Sequence, residues 1–244
     1  MRLFNRSASA TPTAVPSAPA VQQAGPGMIS LVKAAGVSLQ KHGLTTERAA
    51  VYLVLDHSGS MQPYYRDGSV QRLAEQALGL SVNLDDDGSV PLIYFGSRVD
   101  QVDDVRIGTH QGVIDRTHRN VPWGSTDYAA AIRYVVADHQ AAESQRGLPA
   151  LVIFQTDGEP DDRAAAARAL RDASTLPIFF AFIGFGGRVS FLEQLDTLPG
   201  RAVDNASFFH AARPWRVSDA DLYDGITREY AQWLTAARAA GITR

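Results

Sequence analysis

The fold of this chain is decided by one stretch, Val51-Tyr52-Leu53-Val54-Leu55-Asp56-His57-Ser58-Gly59-Ser60. Its first half is apolar, rich in β-branched and aromatic residues, and it ends abruptly in small polar residues. This pattern is typical of a buried parallel strand followed by a sharp turn. Gly59 permits the turn, and the hydroxyls of Ser58 and Ser60 point the same way because they lie two apart in an extended loop.

Two later segments repeat the transition from apolar to polar residues. The apolar run Leu151-Val152-Ile153-Phe154 is followed by Thr156-Asp157-Gly158, and Gly124-Ser125-Thr126-Asp127 opens a helical stretch that we expect Ser125 or Thr126 to cap. Ligands of open α/β sheets bind outside the carboxyl ends of the strands. The three polar segments are therefore predicted to meet at one edge of a sheet.

Apolar runs and helical periodicities alternate along the rest of the chain, which predicts an α/β fold with a doubly wound, mostly parallel central sheet flanked by helices. The predicted strands lie near residues 50–56, 90–95, 150–156, 177–184 and 206–209. The predicted helices lie near residues 70–84, 108–118, 126–143, 163–174, 191–197 and 219–240.

Three regions are expected along the chain. Residues 1–27 are rich in Ala, Pro and Ser, and such a stretch buries too little apolar surface to offset its ordering entropy, so a disordered tail is predicted. Residues 28–48 are an amphipathic segment, either a helix or an extended strip that packs on the domain, or else a docking segment for a partner. Residues 49–244 are predicted to form the α/β domain.

The oxygens of five side chains could converge where the polar segments meet. Two carboxylates and three hydroxyls, without a His or Cys ligand set, suit a hard cation such as Mg²⁺, with Mn²⁺ or Ca²⁺ as alternatives. The predicted ligands are Asp56, Ser58, Ser60, Thr126 and Asp157. Small polar residues after a strand are also ordinary turn formers, so the Asp56–Ser60 stretch alone fits either reading.

The order Asp-x-Ser-x-Ser, then Thr, then Asp after an apolar strand resembles the metal-ion-dependent adhesion site of von Willebrand factor A (vWA) domains. The resemblance covers roughly residues 49–235. Within the vWA family, the sequence around the site is similar to that of bacterial vWA proteins from tellurite-resistance (TerF-type) clusters. The segments that carry this TerF-type similarity are Val51-Tyr52-Leu53-Val54-Leu55-Asp56, Tyr65-Arg66-Asp67-Gly68-Ser69-Val70-Gln71 and Leu84-Asp85-Asp86-Asp87-Gly88.

That resemblance implies a vWA/Rossmann-like fold whose residues 97–105 form an antiparallel edge strand. It also implies how the ligands act: the two serines bind the ion directly, Asp56 usually through water, Thr126 directly when a ligand is engaged, and Asp157 through water or directly. A partner protein would then place an Asp or Glu in the open position of the ion. Membership would make the chain an adaptor in a tellurite or stress-resistance system.

Five further residues near the three segments are candidates for a partner-binding rim. Tyr64 and Tyr65 either line a partner surface or begin a helix, and Trp123 either buttresses the site or forms its rim. The carboxylates at Asp127 and Glu159 could tune the site, although Asp127 also fits the first turn of a helix and Glu159 an exposed turn. His57 lies between two predicted ligands and is expected to point away from them.

Composition limits the function classes. A net charge of −3 does not require a basic surface, which argues against nucleic-acid binding. The absence of cysteine excludes thiol catalysis and zinc–thiolate sites. No apolar stretch approaches the roughly 18 residues of a membrane span, and no secretory signal is recognisable, so a cytoplasmic location is expected.

An enzyme is the alternative reading, as a metal-dependent hydrolase or phosphotransferase that uses Asp56 and Asp157. A haloacid-dehalogenase-type phosphatase would carry a second Asp at position 58, where this chain has Ser. A Gly-x-Ser-x-Gly elbow and a Walker A loop are also missing after the first strand. A binding module is therefore predicted rather than an enzyme, with a purely structural ion as a third possibility.

Overall fold

A computed structural model describes residues 25–85 and 88–244 of the chain. Most of the predicted N-terminal tail (residues 1–24) thus lies outside the described residues. The strands are β1 (Ala50–Asp56), β2 (Ser89–Phe95), β3 (Val99–Arg106), β4 (Ala150–Thr156), β5 (Ile178–Phe185) and β6 (Ala206–Ala211). The α-helices are α1 (Pro26–Lys41), α2 (Gln62–Arg66), α3 (Ser69–Leu84), α4 (Val113–Thr117), α5 (Tyr128–Arg146), α6 (Arg163–Ala173), α7 (Ser190–Glu193) and α8 (Asp219–Ala239).

The six strands form one sheet in the order β3-β2-β1-β4-β5-β6. All neighbours are parallel except β2 and β3, which pair antiparallel at one edge. This arrangement confirms the predicted α/β fold with its antiparallel edge strand. The strand order reverses at β1, and such a switch point opens a crevice at the carboxyl ends of β1 and β4.

Helices cover both faces of the sheet, which explains why β1 reads as an unbroken apolar run. Leu53 and Leu55 pack into the core beneath α1, α3 and α8, whereas Tyr52 and Val54 belong to a second core beneath α5 and α6. Burial of both faces fixes the register of β1, because a slip of one residue would exchange the two sets of side chains.

The segment before the domain is the helix α1, which packs on α3 and α8. Its inward side chains include Met28, Leu31 and Leu39, all almost fully buried. The helix crosses α3 closely at Gly79, where an added Cβ would lie 2.9 Å from Leu31 Cβ and 2.9 Å from the Tyr223 hydroxyl oxygen. Glycine is thus required for this helix spacing.

The helix predicted at residues 108–118 was too long. The described structure has an α-helix only at Val113–Thr117, preceded by a turn that Gly112 opens with a φ of 62°. That positive φ breaks the helical path at a point where the apolar pattern alone continues. In the described part of the chain, no helix is long and apolar enough to cross a membrane.

Candidate metal centre

The site lies where β1 and β4 end side by side. The two strands pair in parallel with Leu55 opposite Gln155, so Asp56 and Asp157 leave the sheet at the same edge. The loop after β1 also forms a bridge between Ser58 and Gly124, which draws in the segment before α5. The fold therefore brings together all three polar segments that the sequence singled out.

Two backbone segments approach each other closely at Gly124, and this close approach allows the three polar segments to come together. A Cβ there would lie 2.6 Å from the backbone nitrogen of Ser97, in the turn between β2 and β3. Any side chain at this position would push the Thr126 segment away from the end of β1.

Hydrogen bonds connect three of the predicted ligands. Ser58 Oγ lies 3.1 Å from Ser60 Oγ, and Ser60 Oγ donates to Asp157 Oδ1 at 2.8 Å. The first contact spans two residues of one loop, but the second joins positions 97 residues apart. Oxygens at these separations are close enough to share one cation.

Asp56 is a fully buried carboxylate at the base of the site. Its Oδ1 accepts from the backbone N–H of Ser58 at 2.7 Å, and its Oδ2 accepts from the hydroxyl of Thr156 at 2.6 Å. Burial raises the pKa of Asp56 to about 7, an effect that these hydrogen bonds oppose and the charge of Asp157 reinforces. Burial likewise raises the pKa of Asp157.

Thr126 is held by its backbone while its hydroxyl stays available. Its N–H donates to Asp161 Oδ2 at 3.1 Å, and its carbonyl accepts from the N–H of Asp161 at 3.0 Å. Thr126 Oγ1 hydrogen-bonds no other described residue, and it lies 4.0 Å from where a Cβ on Gly158 would be. The side chain is only 9% exposed. A hydroxyl with no partner among the described residues, on a largely buried residue, is a candidate ligand.

Sequence reasoning missed the residues that support these ligands. Asp161 Oδ2 also accepts from Ser125 Oγ at 2.6 Å, and Ser125 Oγ lies 3.0 Å from Ser97 Oγ. Thr156 supports Asp56 and in turn accepts from the Tyr128 hydroxyl at 3.2 Å. The two residues of each contact lie 28 to 100 positions apart in sequence, so no local pattern could have revealed them.

His57 points away from the ligand group, as expected. Its ring stacks on Trp123 with a centroid distance of 3.7 Å, and its Nδ1 lies 3.2 Å from the carbonyl oxygen of Pro122. Its Nε2 lies 3.3 Å from His118 Nδ1. Burial lowers the pKa of His57 to about 4, so the imidazole is neutral at pH 7.

The prediction of Tyr65 as a rim residue was wrong. Its side chain is buried, and its hydroxyl donates to the backbone carbonyl of Asp56 at 3.0 Å, because α2 turns this face inward under the loop. Tyr64 on the same helix is half-buried and packs edge-on against Phe185. Trp123 is 39% exposed and both buttresses the loop and borders the site.

The two carboxylates assigned to the rim are engaged within the chain instead. Asp127 Oδ1 accepts from the N–H of Ala130 at 2.9 Å, so Asp127, rather than Ser125 or Thr126, caps α5 with its side chain. Glu159 accepts from the N–H of Ser190 at 2.7 Å and pairs with Arg163 at 3.0 Å. Both carboxylates therefore have partners within the chain, and a rim at these positions stays a prediction.

The donor set fits a hard divalent ion. It offers carboxylate and hydroxyl oxygens, which hard cations prefer. Among the described residues, no group of three or more His, Cys, Asp or Glu side chains could hold a metal ion, so the candidate site depends on its hydroxyls beside two carboxylates. Asp56 and Asp157 lie close together, and Asp56 is fully buried. No described Lys or Arg lowers the pKa of either carboxyl group. A bound cation would supply the missing positive charge.

Comparison with known proteins agrees with this geometry. Residues 48–243 match the family model vWA-TerF-like, described as the vWA found in the TerF C terminus. The chain belongs to this TerF-like vWA family. The match covers most of the chain and includes all three polar segments.

Individual relatives of this vWA protein were also found by sequence and by structure. The uncharacterized protein YcbR of Bacillus subtilis (strain 168) is 32% identical over 217 residues, which cover 87% of this chain and 88% of YcbR. Among solved structures, a von Willebrand factor type A protein from Catenulispora acidiphila matches at 15% identity with a TM-score of 0.53, over 76% of this chain and 43% of its own.

The proximal thread matrix protein 1 of the mussel byssus matches at 16% identity with a TM-score of 0.52, over 74% of this chain and 47% of its own. This vWA chain therefore spans less than half of either solved chain. At these identities the likeness shows the fold alone.

Proposed function

We propose that this chain is a metal-dependent protein-interaction module, in which a divalent cation held by Asp56, Ser58, Ser60, Thr126 and Asp157 receives an Asp or Glu of a partner protein. The observation that carries the proposal is the 2.8 Å hydrogen bond from Ser60 to Asp157, together with the Thr126 hydroxyl, which hydrogen-bonds no other described residue. Together they bring oxygens from three distant segments to one edge of the sheet.

The hydroxyl and carboxylate residues of such a site would have different roles. Ser58, Ser60 and Thr126 offer neutral hydroxyls, so a bound ion would keep enough positive charge to attract a further carboxylate. Asp56 and Asp157 would supply the negative charge that retains the ion. Thr156 orients Asp56, and Asp161 holds the Thr126 segment. Mg²⁺ is the proposed ion, because a compact set of hydroxyls and carboxylates suits its small radius, with Mn²⁺ or Ca²⁺ as alternatives.

A binding role is proposed in preference to catalysis. His57, the histidine next to the ligands, is stacked on Trp123 and turned away from them. The hydroxyls of Ser58 and Ser60 hydrogen-bond each other and Asp157, and neither contacts a histidine that could act as a general base. A metal-dependent hydrolase or phosphotransferase remains the alternative, and turnover of a generic phosphatase substrate would favour it.

The wider role we propose is that of an adaptor in a tellurite or stress-resistance system. Its support is membership in the family named for TerF. The chain has no cysteine, so a thiol-based reduction of tellurite is not part of the proposal. The same composition is compatible with the cytoplasmic location that the proposal assumes.

The test is Mg²⁺-dependent capture of proteins from the source cell's extract, compared between the wild-type chain and Thr126→Ala. Partners should be retained in Mg²⁺, released by EDTA, and lost in the variant. Ser207→Ala, a buried serine of β6 away from the site, is the matched control. Capture by Thr126→Ala equal to the wild type, or indifference to EDTA, would contradict the proposal.

A further inference from the structure

Two exposed tryptophans lie in loops at the carboxyl edge of the sheet. The markedly exposed large apolar side chains among the described residues are Val37, Val102, Trp123 and Trp215. Trp123 stands 39% exposed beside the Thr126 segment, and Trp215 stands 61% exposed in the turn after β6. Exposed tryptophans are costly in water and are enriched at the centres of protein interfaces.

The turn that carries Trp215 presents it outward. Pro214–Arg216 is a 3₁₀ turn, and Pro214 and Val217 line a small cavity together with Phe185, Ala211 and Leu222. Residues three apart share a face of a 3₁₀ turn, so these two side chains anchor it while Trp215 and Arg216 face the solvent. The exposure of Trp215 therefore follows from how the turn is seated.

Two arginines give this surface its charge. Arg213 precedes the turn and Arg216 is its last residue. Both are exposed and form no ion pair with another described residue. The nearest acidic residues in sequence are engaged elsewhere: Asp219 pairs with Arg72 at 2.6 Å, and Asp221 accepts from the Ser218 hydroxyl at 2.7 Å. The turn thus combines an aromatic face with uncompensated positive charge, although the chain as a whole is acidic.

A chain of contacts links this turn to the loop of the candidate metal centre. Tyr64, on the helix that follows the metal loop, packs against Phe185, and its hydroxyl occupies the space beside Gly186. The N–H of Gly186 donates to the carbonyl of Ala211, the last residue of β6. Neighbouring strands lie about 4.8 Å apart, so the end of β6 is about 12 Å from the junction of β1 and β4.

We propose that Arg213, Trp215 and Arg216 form the second contact of the partner surface, and that they bind an acidic segment of the partner. This inference rests on the proposed function, which supplies the first contact, a carboxylate at the metal. An extended segment advances about 3.3 Å per residue. The partner segment should therefore carry its second acidic residue about three to five positions from the first, with an apolar side chain between them that packs on Trp215.

The test uses a random dodecapeptide library displayed on phage, panned on the immobilised full-length chain in Mg²⁺ and eluted with EDTA. The eluted peptides should carry two acidic residues three to five positions apart. A synthetic consensus peptide should bind Trp215→Ala and the Arg213→Ala/Arg216→Ala double variant at least 10-fold more weakly than the wild type.

A matched control is Arg168→Ala, an exposed arginine on α6. It should change the affinity less than 2-fold. Replacing the second acid of the peptide by Lys should restore binding to an Arg213→Glu/Arg216→Glu variant, because the charges would again be opposite.

The outcomes separate the two proposals. EDTA-eluted peptides with a single acidic residue, or unchanged affinity in Trp215→Ala and the double variant, would overturn the second contact and leave the metal-dependent module standing. Recovery of no EDTA-elutable peptide, with the wild type shown to bind Mg²⁺ in the same buffer, would overturn both.

Discussion

Asp56 shows how a single residue combines structural cost with function. Its carboxylate is fully buried, and hydrogen bonds from Ser58 and Thr156 only partly replace the lost hydration. Burial without a positive partner keeps its pKa near 7 in the metal-free chain. A binding site for a cation thus costs stability in the absence of the cation, as expected for a preorganised site.

The first prediction concerns Asp56→Asn in EDTA. The folded-state pKa of Asp56 is raised above its unfolded value of 3.8, so its contribution is fully present below pH 4 and is lost as the pH rises through 7. The unfolding free energy of the wild type should therefore fall by on the order of 2–4 kcal/mol relative to Asp56→Asn between pH 4 and 8. His57 titrates in the same window with the opposite sign, but it is present in both proteins and cancels.

Urea unfolding at four pH values measures this difference, with EDTA present throughout. Parallel stability profiles for the two proteins would contradict the assignment of a costly buried carboxylate at position 56.

The second prediction concerns Asp161, which holds the Thr126 segment by accepting from Ser125 Oγ and the N–H of Thr126. Asp161→Asn should weaken Mg²⁺ binding by about 10-fold, because a loosened segment positions the Thr126 hydroxyl less well. Asp162→Asn is the matched control, since Asp162 caps α6 through the N–H of Ala165 and contacts no ligand. Equal Mg²⁺ affinities in both variants would exclude the positioning role, and a loss of thermal stability alone would not support it.

At the scale of elements, the sequence predicted the strands far better than the contacts of their loops. The run before Asp56 must be a buried strand, since its apolar residues need cover on both faces, and that requirement also predicts the helices around it. The prediction that Ser125 or Thr126 caps α5 was wrong because Ser125, Thr126 and Asp127 can all act as caps. Only the hydrogen bond from the N–H of Ala130 to the Asp127 carboxylate identifies Asp127 as the cap. The burial of Tyr65 depends on the orientation of α2, which five residues of sequence do not encode.

The third prediction tests the packing of α1 on α3. Gly79→Ala should destabilise the chain by about 1–3 kcal/mol, because the new Cβ would meet Leu31 Cβ and the Tyr223 hydroxyl at 2.9 Å. Gly27→Ala is the matched helical control, since nothing lies within 4 Å of its added Cβ. There alanine should be neutral or stabilise by up to about 1 kcal/mol. Equal effects on the thermal midpoint would show that α1 does not pack as described.

At the scale of the whole molecule, the fold and the five candidate ligands were predictable because strand order and the carboxyl-edge rule act together. Asp56 and Asp157 lie at one edge because β1 and β4 are parallel neighbours, whereas the Thr126 segment joins them through the bridge between Ser58 and Gly124. The surface around Trp215 was not predictable in the same way. The sequence pattern of a tryptophan in a turn also fits a packing residue, and only the fold shows that Pro214 and Val217 face the protein while Trp215 is exposed.

The fourth prediction is that Mg²⁺ stabilises the entire domain. A ligand that binds only the folded state adds about 2.7 kcal/mol at 100 times its Kd, which corresponds to a rise of roughly 5–10 °C in the thermal midpoint of a chain this long. Calorimetric or fluorescence melting with and without Mg²⁺ measures the shift. Asp157→Ala should show no shift, whereas an equal shift in this variant would place the stabilising ion elsewhere.

The central claim is that Asp56, Ser58, Ser60, Thr126 and Asp157 together bind a divalent cation. Titration calorimetry of the full-length chain with Mg²⁺ tests it most directly, beside the Asp56→Ala/Ser58→Ala double variant, whose fold is checked by circular dichroism. The account predicts a single site in the wild type and none in the folded double variant. Equal Mg²⁺ binding by the wild type and the folded double variant would contradict it.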